Sequence, residues 1–191
     1  MPSIDCTITG EGVELLGAIK GATISALEAV IAARENMAWR TVRIHLGDAA
    51  VDVTVSLRNL PVNSEGDVEE FGTLAVSVAG PGTLRVEGVD KETEWRDVGA
   101  KVAGITLVND HVVASEHGQV IMERSFTQVI VFDLADDSSL VLDKGTWFSE
   151  MIAIGAGEVW RNLVYESSQD WADDPEEPSV RYGWTRTLQE V

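Results

Sequence analysis

Thr41-Val-Arg-Ile-His-Leu-Gly-Asp-Ala-Ala-Val-Asp-Val-Thr-Val-Ser-Leu-Arg58 is the stretch on which the reading of this chain turns. Val42, Ile44 and Leu46 alternate with Arg43 and His45. Gly47-Asp48 turns the chain, and Val51, Val53, Val55 and Leu57 then alternate with Asp52, Thr54, Ser56 and Arg58. Successive side chains of a strand point to opposite faces, so a period of two predicts a half-buried antiparallel hairpin. His45 falls on its polar face.

Downstream the same period recurs. Leu74, Val76 and Val78 alternate with Thr73, Ala75 and Ser77; Gly80-Pro81-Gly82 breaks the run, and Leu84 and Val86 resume it. Strands are predicted at 104–108, 111–115, 119–124, 128–134 and 139–142. Asn109-Asp110, His117-Gly118 and Asp136-Asp137-Ser138 are read as the turns between them. Val129 to Leu134 is apolar on both faces and predicts a central strand. Ile152 and Ile154 continue the sheet, residues 158–165 suit a short helix, and Val180, Tyr182, Trp184 and Leu188 form a last strand.

Upstream, Ile4 to Ile8 reads as a short strand leading into Gly10-Glu11-Gly12. Val13, Leu16 and Ile19 follow at helical spacing, and so do Ile24, Leu27, Val30 and Ile31. Ser25-Ala-Leu-Glu28 fits a capping box. A second helix is therefore predicted from Ser25 to about Met37, with one kinked helix as the alternative. The segregation of helices from hairpins gives the expected class: α+β, with an N-terminal helix or helix pair packed on a largely antiparallel β-sheet or sandwich. Residues 1–165 are expected to form a single domain, with the charged stretch 90–97 as the one candidate internal boundary. Residues 166–191 form an acidic C-terminal arm, with six acids and no base between Glu166 and Pro178.

Thirty-two acids against fourteen bases give the 191 residues a net charge of −18. Phosphate backbones and anionic lipid surfaces repel such a protein, so neither nucleic acid nor a membrane is an expected partner. No run approaches the ~18 apolar residues of a membrane span, and the N-terminus lacks a signal-peptide pattern. One cysteine, Cys6, allows no internal disulfide and favours a reducing compartment. The expected location is the cytoplasm.

Chemical motifs are weak. Gly10-x-Gly12 begins like a dinucleotide fingerprint, but Leu15 stands where the third glycine belongs. His111 and His117 are six apart, unlike a zinc motif on a helix. The run from Asp133 to Ser138 has Ala135 and Ser138 where a calcium loop needs an oxygen ligand and a glycine, so its acids are read as turn caps. Cys6 has no basic neighbour in sequence and reads as a structural thiol. No catalytic residue, cofactor or metal is assigned.

What remains is an association of tryptophan with acids. Trp147, Phe148 and Glu150 follow a hairpin. Trp171, Asp173, Asp174, Glu176 and Glu177 lie in the acidic arm, with Trp184 beyond. Tryptophan is enriched at binding hot spots. The leading expectation is a non-enzymatic protein-binding, inhibitory or accessory protein that presents Trp and carboxylates to a basic partner. The alternatives are an enzyme with a dispersed acid/His site, divalent-metal dependent in one form, and a structural or self-assembling protein. An enzyme is the lesser expectation, and the sequence assigns no oligomeric state.

Overall fold

A computed structural model gives the fold and describes residues 3–32, 36–61, 68–145, 149–157 and 180–191. Its elements are β1 (Ser3–Cys6), α1 (Glu11–Ile19), β2 (Thr23–Ile31), β3 (Met37–Leu46), β4 (Ala49–Pro61), β5 (Val68–Val78), β6 (Glu94–Glu116), β7 (Gln119–Leu134), β8 (Ser139–Asp143), β9 (Met151–Ala156) and β10 (Val180–Glu190). The α+β expectation does not hold. Strands dominate, all ten lie in one mixed sheet, and α1 is the one helix among the described residues.

The second predicted helix is strand β2. Its apolar run suits either period, and neighbours decide between them. β2 sits between β3 and β6, and Ala26 to Val30 are all buried. Ser25 caps no helix; its hydroxyl donates to the His45 carbonyl. Predicted turn Asn109-Asp110 is likewise absent, and β6 runs through it. Asn109 Oδ1 instead accepts from the Thr127 hydroxyl at 2.7 Å, and Asp110 takes the Arg186 guanidinium. Leu84 and Val86 are buried but belong to no strand.

Pairing closes on itself. β6 pairs with β7, β7 with β8, β8 with β9, β9 with β3, β3 with β2, and β2 with β6. The circuit is a six-stranded barrel filled by Leu27, Val42, Ile44, Ile105, Leu107, Ile130, Phe132, Leu142, Ile152 and Ile154. Two strands fork. β3 carries β9 beside Met37–Trp39 and β4 beside Thr41–Leu46, and the fork lies at Arg40, whose φ is 53°. Thus the β4–β5 hairpin leaves the barrel. α1 joins the same core through Leu16 and Ile19, and Gly12 lies so close to Ile8 that a Cβ there would sit 2.8 Å from its Cγ2.

Beyond the barrel, β6 and β7 continue as an arm to the His117-Gly118 turn, flanked by β1 in parallel and β10 in antiparallel pairing. Phe71 of β5 packs on this arm with Val112, Ala114, Met122, Phe126 and Val180. Two cations enter this second core. Lys144 is 0% exposed, and its Nζ lies 4.8 and 4.4 Å from the centroids of Phe71 and Phe126. Arg124 stands over Phe71 and donates to the Pro61 carbonyl at 3.3 Å. Among the described residues Lys144 Nζ and Arg124 Nε and Nη1 have no hydrogen-bond partner, though Nη1 lies 3.7 Å from the Glu69 carboxylate.

Burial pushes the Lys144 ammonium down to about 8, opposed by the charges of Asp143, Asp110 and Cys6. A base held below its ordinary value destabilises the fold while it is charged, and the penalty is relieved as pH rises from the folded value towards 10.5. The interval corresponds to about 3 kcal/mol. Lys144→Met is expected to raise neutral-pH stability by about 1–3 kcal/mol and to abolish the wild-type gain between pH 8 and 10. Urea unfolding of both chains across that range measures it; parallel pH profiles would contradict it.

Candidate functional site

One row of side chains crosses the polar face of the sheet. The register sets Trp95 of β6 beside Glu28 of β2, Glu28 beside Arg43 of β3, and Arg43 beside Asp52 of β4. Directly paired residues point to the same face, so the four share it. This is the polar face of the hairpin read from sequence; Val42, Ile44, Val51 and Val53 on the other face enter the barrel core.

Glu28 is 1% exposed. Its Oε1 accepts the Leu84 backbone N–H at 2.7 Å, and its Oε2 lies 3.0 Å from His45 Nε2. Arg43 forks onto Asp52, Nε to Oδ1 at 2.7 Å and Nη2 to Oδ2 at 3.0 Å, and its Nη1 donates to the Gly82 carbonyl at 2.5 Å. The Asp52 hydrogen bonds hold the Arg43 guanidinium above its ordinary value against the opposing effect of burial. Together Glu28 and Arg43 latch the irregular segment that follows β5 across the sheet, which explains why Leu84 and Val86 are buried without strand pairing.

The imidazole of His45 stacks on Trp95, centroids 4.5 Å apart and planes inclined by 31°. Trp95 is nonetheless 56% exposed. Between Glu87 and Asp97 the chain carries five acids and two bases, and Glu87, Asp90, Glu92, Glu94 and Asp97 are all exposed. An exposed indole thus rests on a fixed support within an acidic surface. Beside it runs a groove of ≈590 Å³, with Thr41, Arg43, Asp52 and Thr54 as its floor and Gly80 to Arg85 as its wall. It adjoins a ≈340 Å³ hollow that reaches Arg40, Glu87 and Glu150.

A carboxylate-held imidazole has the geometry of a general base. Here the ring is covered on one face by Trp95, and the groove hydroxyls of Thr41 and Thr54 lie 3.2 Å from each other. The other histidines lie elsewhere. On the arm, His111 Nδ1 is 3.0 Å from the Ser125 hydroxyl and its Nε2 3.5 Å from Glu123; His117 forms the turn. No group of three or more metal-ligating side chains is assembled among the described residues. Asp136 caps its turn through the Ser138 N–H and hydroxyl, and the hydroxyl bond in particular lowers its carboxyl below the usual range.

Cys6 has cations near it that the sequence did not reveal. Burial raises its thiol, while Arg58, Arg124 and Lys144 pull it down by less.

Of the residues expected to interact, Glu150 pairs with Arg40 at the edge of the hollow. Trp184 is half-buried on β10, with the Arg186 guanidinium 4.6 Å over its ring. Trp147, Phe148, Trp171, Asp173, Asp174, Glu176 and Glu177 lie outside the described residues. Sequence reading passed over Trp95, because it stands in the charged stretch 90–97. The available signal was its lack of apolar companions: Thr93 and Asp97 are its neighbours at a period of two. No known protein family, curated protein or solved structure matches the chain.

Removing the buried carboxylate leaves the Leu84 N–H without its acceptor and Arg43 with Asp52 but without the second negative charge beside it. Glu28→Ala is expected to cost about 2–4 kcal/mol in denaturant unfolding, and Glu28→Gln, which keeps an acceptor, about half as much. Hydrogen exchange at the Leu84 amide should accelerate in Glu28→Ala. An unchanged Leu84 exchange rate would contradict the latch.

Proposed function

We propose that this protein is a non-enzymatic binding protein of the accessory or inhibitory kind, which presents Trp95 and the surrounding carboxylates to a basic partner protein. The observation that carries the reading is the exposed Trp95 indole, stacked on an imidazole that a buried carboxylate holds in place. An aromatic fixed before binding loses little rotamer freedom on association, and that is a property of interface hot spots. Complementary charge adds steering: a net charge of −18 draws basic proteins and repels other acidic ones.

The same charge disfavours nucleic acid and anionic lipid as partners. No helix among the described residues is long and apolar enough to cross a membrane. The lone Cys6 suits a cytoplasmic, reducing setting.

Partner capture from the source lysate, with wild type and Trp95→Ala as baits, tests the proposal. A partner of basic composition should be retained at about 0.05 M salt and released by about 0.5 M. It should bind the Trp95→Ala bait at least about tenfold more weakly. Capture unaffected by both salt and the substitution would refute the reading.

A further inference from the structure

We infer that the free face of Trp95 is the seat of an arginine side chain of the partner, a guanidinium stacked on the indole. The inference rests on the binding role proposed above and names the group recognised. Its starting point is the asymmetry of the indole. His45 covers one face at a centroid distance of 4.5 Å, and the side chain remains 56% exposed. An exposed indole in an acidic setting attracts a cation through the ring quadrupole.

The carboxylates around the ring have the required placement. Glu28 is paired directly with Trp95 across β2–β6, and Asp97 lies two residues along β6 on the same face. Glu28 is already engaged by Leu84 and His45, so its charge contributes attraction but no open acceptor. Asp97 is exposed, and its carboxylate has the two oxygens that a guanidinium fork needs.

The molecule builds this arrangement itself, among the described residues. On β10 the Arg186 guanidinium lies 4.6 Å over the Trp184 ring, while its Nε and Nη2 fork onto Asp110 at 2.7 and 2.8 Å. Trp95 and Asp97 supply an indole and a carboxylate without the guanidinium. Arginine suits the seat better than lysine because its cation is planar, weakly hydrated and able to stack and fork together.

The test uses the full chain with ¹⁵N-labelled indoles and a pair of blocked tripeptides, acetyl-Gly-Arg-Gly-amide and its citrulline counterpart, which keeps the shape and removes the charge. Trp95→Phe identifies the Trp95 indole signal. The arginine peptide should shift that signal saturably, with a dissociation constant on the order of millimolar, and the citrulline peptide should bind at least about fivefold more weakly. Asp97→Asn should weaken arginine binding about two- to fivefold while leaving the other indole signals in place. Equal responses to the two peptides, or an arginine response confined to other tryptophans, would overturn the inference. Should Trp95→Ala abolish partner capture while arginine leaves the Trp95 signal unmoved, the surface stands and the guanidinium seat falls.

Discussion

The buried carboxylate of Glu28 is the constraint around which the polar side of this protein is arranged. A carboxylate removed from water costs several kcal/mol unless its oxygens find donors. Here one oxygen takes the Leu84 N–H and the other faces His45. The first contact fixes where the chain crosses the sheet after β5. The second fixes the imidazole on which Trp95 lies. Arg43, next in the row, reinforces the crossing through Gly82 and is itself balanced by Asp52. Segment, groove and exposed indole therefore share one anchor, which lies beneath the crossing segment at Leu84 and beside His45.

The second core handles buried charge differently. Glu28 and Arg43 are hydrogen-bonded, whereas Lys144 faces two phenylalanine rings and has no hydrogen-bond partner among the described residues. The charges of Asp143, Asp110 and Cys6 offset only part of the lost hydration, so the ammonium is held at about 8. The two clusters also sit at different places along β6: Trp95 near its start, beside the barrel, and Val112 and Ala114 in the distal arm. One long strand thus joins a well-satisfied polar site to a core under electrostatic tension.

Local alternation was enough to read the β3–β4 hairpin, β5, the turns at His117-Gly118 and Asp136–Ser138, and the return of the chain as β10. Where the reading went astray, tertiary neighbours decided. Ile24, Leu27, Val30 and Ile31 satisfy a helical period and a doubly buried strand equally well, and only the closure between β3 and β6 separates them. Asn109 and Asp110 have turn chemistry, but Thr127 and Arg186 engage their side chains and leave the backbone extended. The site was less legible still. Glu28 looked like part of a helix cap, His45 like a surface residue, and Trp95 like one residue of a charged linker. They meet only because β6, distant in sequence, shares a register with the consecutive strands β2 and β3, and a single sequence does not display that register.

Acidity alone excluded partners better than it chose one; the fold gives part of it a place, around an indole already oriented. The most direct measurement of this claim is photo-cross-linking in the source cell from a benzophenone side chain at position 93, which leaves Trp95 intact, compared with the same group at position 120 on the distal arm. Position 93 should capture a protein of basic composition, and position 120 should not. Capture of that protein from position 120 alone, or of no protein from position 93, would contradict it.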